Sequence, residues 1–342
     1  LVAIAARGRC EAIVKTASGG FAAAFEALEA GDVAGFEALL RDEPDLARER
    51  GLNGNTLLNL AVSLAGKPGW KAGLSAVQAL LAAGADVNEA NDRGGTPLHQ
   101  AGYSNQPVMA NVLIEHGAAL DVEAYGAGGT PLVFALFWGH REVAEVLAAH
   151  AIVPRNLRVA AGLGDAKLVD ACFNADASLT SEAVAARGFY RPHRGFPEWA
   201  PSDDRQEVLD EALVWACKSG RIDVLARLIE AGARIDADPY RGTPLIWAAV
   251  CNRVETAAWL LDHGAHIDKK ATFGGETHGQ GVTALHMAAQ YGHLAVIKLL
   301  VERGADRTIK EDLYDSTPQG AAAYFGQDEV REYLASLDAS HD

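Results

Sequence analysis

The sequence is short of cysteine, of long apolar runs, of positive charge and of recognisable catalytic signatures, and each shortage excludes something. Four of its 342 residues are cysteines, Cys10, Cys172, Cys217 and Cys251, at irregular spacing. That pattern suits neither a disulfide framework nor a zinc site and points to a reducing, cytoplasmic setting. No run of 18 or more apolar residues occurs, so no membrane-spanning helix is expected. Lys and Arg number 30 against 45 Asp and Glu, a formal net charge of −15. Such a surface repels phosphate backbones and disfavours bulk binding of DNA or RNA. The chain opens on Leu1 rather than Met, as a trimmed N-terminus would. Its first residues, LVAIAARGRC, put apolar residues ahead of basic ones, the reverse of a secretory signal. No G-x-x-x-x-G-K-[ST], G-x-S-x-G, H-E-x-x-H or C-x-x-C occurs, and the GETHG turn has no following Lys to make a phosphate loop. No metal and no organic cofactor is implied.

What the sequence does contain is repetition. TPLH starts at Thr96, TPLVFA at Thr130, TPLIWAA at Thr243, TALHMAA at Thr283 and TPQGAAA at Thr317, with a weaker TLLNLA at Thr56. A second phrase recurs behind them: LLAAGADVN (Leu80–Asn88), LIEAGARID (Leu228–Asp236), LLDHGAHID (Leu260–Asp268) and LLVERGADRT (Leu299–Thr308). Thr caps a helix N-terminus, and Pro at the first helical position loses no useful N–H, so each Thr-Pro starts a helix. Gly139 and Gly292 separate two apolar stretches. Gly84, Gly117, Gly232, Gly264 and Gly304 follow the second stretch, where a positive φ favours glycine. Each unit is then two short antiparallel helices and an extended turn, which buries its apolar face only by stacking on neighbours.

A period near 33 with T-P-L-H-x-A and G-A-D phrases resembles the ankyrin repeat. The resemblance implies an all-α solenoid of about eight to nine helix-turn-helix units. It divides the chain into an N-terminal helical cap (1–20), a first block of repeats (21–180), an irregular insertion (181–203) and a second block with a C-terminal cap (204–342). It also implies that the positions before each G-H slot line a concave groove. Tyr103, Phe137, Trp138, Lys218, Tyr291, Tyr324 and Phe325 fall there, an aromatic set suited to contact with another protein. For Phe137 and Trp138 the alternative is packing between repeats, and Trp215 and Trp247 are expected in the core. His99 and His286 in the TPLH slots, and His140 and His293 in the G-H slots, are expected to brace neighbouring backbone. His116, His150 and His263 suit the carbonyls at second-helix ends.

The insertion, SEAVAARGFYRPHRGFPEWAPSDDR, concentrates Phe189, Tyr190, Phe196 and Trp199 with Arg187, Arg191, His193 and Arg194. A solvated linker is poorer in aromatics. It is expected to fold onto the fifth and sixth units, and two readings stay open. As a plug, its aromatics cover the weak fifth unit and its cations pair with nearby acids. As a ligand site, Tyr190, Arg191, His193, Arg194 and Trp199 meet an anionic small molecule at the groove rim. Asp203 or Ser202 is the expected cap of the helix starting near Arg205. The leading functional expectation is a non-catalytic module that binds another protein. The alternative is a small-molecule binder or enzyme, with His193, Tyr190 and Arg191 as the catalytic candidates.

Overall fold

Helix starts follow the Thr phrases. In a computed structural model that describes residues 18–65, 73–189, 199–239, 241–272 and 280–339, helices run over Pro97–Tyr103, Pro131–Phe137, Pro244–Val250, Ala284–Tyr291 and Pro318–Tyr324. Each begins one residue after the expected Thr. The Thr243 hydroxyl accepts from the Ile246 N–H at 3.3 Å, which satisfies one of the donors a helix start leaves open. In two repeats a histidine completes the cap. His99 Nδ1 accepts from the Thr96 N–H at 3.2 Å, while Nε2 reaches the Gly129 carbonyl at 3.0 Å. His286 does the same between Thr283 and the Ser316 carbonyl. Burial holds His99 neutral, its pKa lowered to about 4 against the pull of the Gly129 and Val122 carbonyls.

Every first helix is followed by a second. Nine such pairs occur among the described residues, from Gly19–Ala30 with Val33–Asp42 to Pro318–Tyr324 with Asp328–Ala339. The second helices present Val and Leu at helical spacing, and Val143, Leu147, Val296 and Leu300 are buried. The fold is the all-α stack of helix pairs that the repetition predicts. Among the described residues the strands are two short ones, Ala271–Thr272 and Gln280–Val282, paired antiparallel within the enlarged turn of the eighth unit. No described helix is long and apolar enough to cross a membrane. The expected helical cap over 1–20 lies almost wholly outside the described residues.

The chain forms two compact units. The first comprises residues 1–135 and 140–153, the second 136–139 and 154–342. Within the second unit, Leu157–Leu163 packs on Arg205–Ser219, which packs on Pro244–Val250, then Ala284–Tyr291, then Pro318–Tyr324. The helix Arg205–Ser219 departs from the pattern. It has 15 residues where the other first helices of this unit have seven or eight. Aligned on its neighbours, Trp215 matches Trp247, and Glu211 stands where Thr243 caps the next repeat. The extra turns are built ahead of that position, and the cap is Asp204, which accepts from the Glu207 N–H. Ser202, one of the two expected caps, instead donates its N–H and hydroxyl to the Glu207 carboxylate at 2.8 and 2.7 Å.

Candidate functional site

The extra turns carry acids into the interior of the second unit. Glu211 is fully buried. Its Oε1 accepts from Arg158 Nη1 at 2.8 Å and its Oε2 from Arg187 Nε at 2.7 Å. Arg187 belongs to the insertion and is spent on this contact. Its Nη2 donates to Glu207 Oε1 and its Nη1 to the Ser202 carbonyl, both at 2.8 Å. One guanidinium thus ties the start of the insertion to two acids one helical turn apart and to the chain leaving it. Arg158, 1 % exposed, lies 4.6 Å from the Trp215 ring centroid. It occupies the slot that holds Leu98, Leu132, Leu245 and Leu285 in other repeats, so a cation replaces a core leucine.

Lys218 lies at the other end of the same helix, and it too is fully buried. Its Nζ donates to the Phe137 carbonyl at 3.1 Å. The ammonium sits 3.6 Å from the Trp247 ring centroid, 4.4 Å from that of Phe137 and 5.9 Å from that of Trp215. Aromatic faces attract a cation, and more so when it is desolvated. Burial nevertheless drives the Lys218 pKa well below the ordinary lysine value, and the nearby Arg241 charge lowers it further. Arg241 is itself buried, its guanidinium 6.0 Å from the Phe137 centroid. Phe137 makes edge contacts with Trp138, Phe189 and Trp215 at 5.3, 5.4 and 6.2 Å. Behind it, Gly139 has φ 71°, and a Cβ there would stand 2.6 Å from the Lys218 carbonyl. Only glycine allows that approach. The Cys251 thiol beside it is pushed up by burial, with the Lys218 and Arg253 charges pulling the other way.

These positions correct the expected groove. Phe137 (1 % exposed) and Lys218 (0 %) are interior residues, not parts of an open surface. The cause is long-range: Phe189 of the insertion and Trp215 close over Phe137, and Trp247 closes over Lys218. Trp215 and Trp247 are core, as expected. Tyr103, Trp138 and Phe325 are half-buried, whereas Tyr291 and Tyr324 are exposed, at 44 % and 79 %. Of the insertion's candidates, Trp199 is half-buried, and Tyr190, Arg191, His193 and Arg194 lie outside the described residues. Arg158, Glu211 and Arg241 were not singled out by sequence reasoning. The available signal was substitution within the repeat frame: Arg for Leu at 158, Glu for Thr at 211, and Lys at 218 where Phe137 and Val250 stand in other units. Among the described residues no cluster of His, Cys, Asp and Glu is arranged to hold a metal.

Comparison with known proteins places the repeats. A family model for ankyrin repeats (3 copies) matches residues 69–156 and 198–271, and one for ankyrin repeats (many copies) matches 245–301. The chain is 27 % identical over 239 residues to ankyrin repeat and KH domain-containing protein mask-1 of Caenorhabditis elegans, covering 69 % of this chain and 8 % of that protein. It is 39 % identical over 56 residues to RelA-associated inhibitor of Mus musculus, 16 % of this chain and 7 % of that protein. Protein PhlB of Serratia liquefaciens is 35 % identical over 117 residues, 34 % of this chain and 48 % of that protein. The chain therefore spans less than half the length of each of these relatives. Both matches leave out 157–197, the stretch that holds Arg158, Arg187 and Phe189.

Proposed function

The chain belongs to the ankyrin-repeat family, and from that premise we propose that it acts as a non-catalytic module that recognises another protein. Ankyrin repeats generally mediate protein–protein interactions. The observation that carries the reading here is the exposed pair Tyr291 and Tyr324, which end the first helices of successive repeats in the second unit. Tyr324 meets Phe325 edge-on at 5.0 Å, and Tyr314 on the preceding turn is 75 % exposed. Tyrosines supply a large, rigid contact area at low entropic cost, which suits a binding face better than a solvated one. The charge of −15 favours a basic protein surface over nucleic acid as the partner. The buried thiols of Cys172 and Cys217, both held protonated by burial, suit a reducing, cytoplasmic location.

The test is affinity capture with the intact chain and with Tyr291→Ala and Tyr324→Ala, followed by affinity measurement on the captured protein. Either substitution should weaken binding by about 2 kcal/mol, roughly thirtyfold, if the tyrosine is an anchor. Thermal unfolding should stay unchanged, since both side chains are exposed. Binding that survives both substitutions would move the recognition face elsewhere. Deleting 186–200 is a poor probe, because it removes Arg187 from the buried acid Glu211. The second reading, a small-molecule site near the insertion, is favoured by the buried donors around Arg158.

A further inference from the structure

The turn ahead of helix Leu57–Leu64 carries the one Asn-Gly step in the sequence, Asn53-Gly54. The backbone fixes both residues there. Asn53 has φ 58° and ψ 24°, a left-handed conformation that asparagine tolerates better than most side chains. Gly54 has φ 70°, and a Cβ on it would collide with Asp92 Oδ1 and Arg50 Nη2. Those two groups pair with each other at 2.9 Å directly over the glycine. Only glycine allows that approach. The turn therefore keeps an asparagine side chain next to an unshielded glycine amide.

That pairing is open to an intramolecular reaction. The Gly54 nitrogen, once hydroxide has taken its proton, attacks Asn53 Cγ. A new C–N bond forms, the side-chain nitrogen takes up a proton and leaves as ammonia, and a five-membered imide remains. Water opens the imide at either carbonyl and leaves aspartate or isoaspartate. The net change is one water consumed and one ammonia released.

The structure both exposes the reacting group and restrains it. Asn53 is exposed, and its side-chain amide makes no hydrogen bond among the described residues. The Gly54 N–H, however, donates to the Gly51 carbonyl at 3.0 Å. Ring closure also needs Cβ and the Gly54 nitrogen on the same side of the Cα–C bond, and a ψ of 24° sets them nearly opposite. The turn must open before the ring can close. The following turn holds it shut: the Asn53 carbonyl accepts from the Asp92 N–H at 2.9 Å. Arg50 adds a second tie, through Nε to the Gly54 carbonyl at 3.3 Å and through Nη2 to the Asp92 carboxylate.

We propose that Asn53-Gly54 is a deamidation site, with water as the co-reactant and with its rate set by the opening of this turn. The product stands at the contact between two successive turns of the first compact unit. Isoaspartate inserts a methylene into the backbone beside the carbonyl that holds the Asp92 N–H, and either product adds negative charge next to Asp92. The site does not rest on protein recognition.

The test holds the full chain at mildly alkaline pH, with and without denaturing urea, and samples it over time. Peptides are scored by mass for the exchange of NH for O, and isoaspartate is labelled with an isoaspartyl methyltransferase. Asn53 should convert ahead of the other asparagines in both conditions. Its rate in the folded chain should be at least about tenfold below that in urea, since reaction waits on local opening. Arg50→Ala and Asp92→Ala each remove one exposed tie and should raise the folded rate about threefold. Asp312→Ala, which breaks an exposed pair with Lys270, should leave it unchanged. Asn53→Gly keeps the left-handed turn and should abolish the isoaspartate label at this position. If Arg50→Ala fails to fold, Asp92→Ala carries the comparison. The proposal is overturned if another asparagine of the folded chain converts first, if the folded and urea rates agree, or if neither loosening variant changes the folded rate.

Discussion

Replacing Glu211 by Gln should be among the most damaging single changes in the second unit. The substitution keeps shape and one carbonyl oxygen but removes the charge that faces two guanidinium groups. It also turns an NH2 donor toward a group that is all donor. The Arg158 and Arg187 side chains are each 1 % exposed, so neither can recover water in place of the lost partner. Breaking a buried ion pair from one side costs about 3–5 kcal/mol, because an uncompensated charge stays behind. Two pairs break here, which puts the expected loss at the upper end of that range. An exposed pair sets the contrast: Lys270 with Asp312, at 2.7 Å but roughly half exposed, should cost about 1 kcal/mol or less when broken. The assay is urea unfolding followed by the fluorescence of buried Trp215 and Trp247, with hydrogen exchange along Leu157–Leu163 as a local check. The loss should persist in high salt, since screening reaches buried charges poorly. A Glu211→Gln chain within about 1 kcal/mol of the parent would refute the reasoning. It would mean that the guanidinium groups find other acceptors without strain.

Stability should fall on acidification as His99 is forced to take a proton. Its folded pKa of about 4 lies below the ordinary 6.5, so its contribution is complete above pH 6.5 and drains away as the pH falls toward 4. The whole effect is about 3 kcal/mol, and a His99→Gln chain should show a flatter stability profile between those pH values. Thr243→Ala should cost about 1 kcal/mol through the lost cap to the Ile246 N–H, measured by the same urea unfolding. A loss below a few tenths of a kcal/mol would assign the capping to water instead.

The repeat was legible because its signals are local. Thr243-Pro244 starts a helix through its own side chain and φ angle, and glycines at 84, 117, 232, 264 and 304 close second helices with positive φ. None of that needs a distant partner. His99 was legible in the same way, through its Thr96 contact three residues off. Phe137 and Lys218 were misplaced for the opposite reason. Their slots line the groove in a regular repeat, and only the arrival of Phe189, Trp215 and Trp247 buries them. Glu211 and the two cations that meet it come from three stretches of chain: the fifth unit, the insertion and the lengthened helix. Spacing within one repeat carries no information about such a meeting. A frame-by-frame comparison would have raised Arg158 and Glu211 as misfits, although not as partners of each other.

The lengthened helix Arg205–Ser219 also bears on how this chain can evolve. Ordinary repeats are interchangeable parts, since each offers the same apolar faces to either neighbour, and arrays grow or shrink by duplicating and losing units. The sixth unit has given up that freedom. Its Glu211 is the counterpart of one cation in the unit before it and another in the insertion. A duplicate would bury an acid with no cation, and a deletion would strand two cations in the interior. The array is free to vary in unit number on either side of this junction, while the fifth unit, the insertion and the sixth must be inherited together.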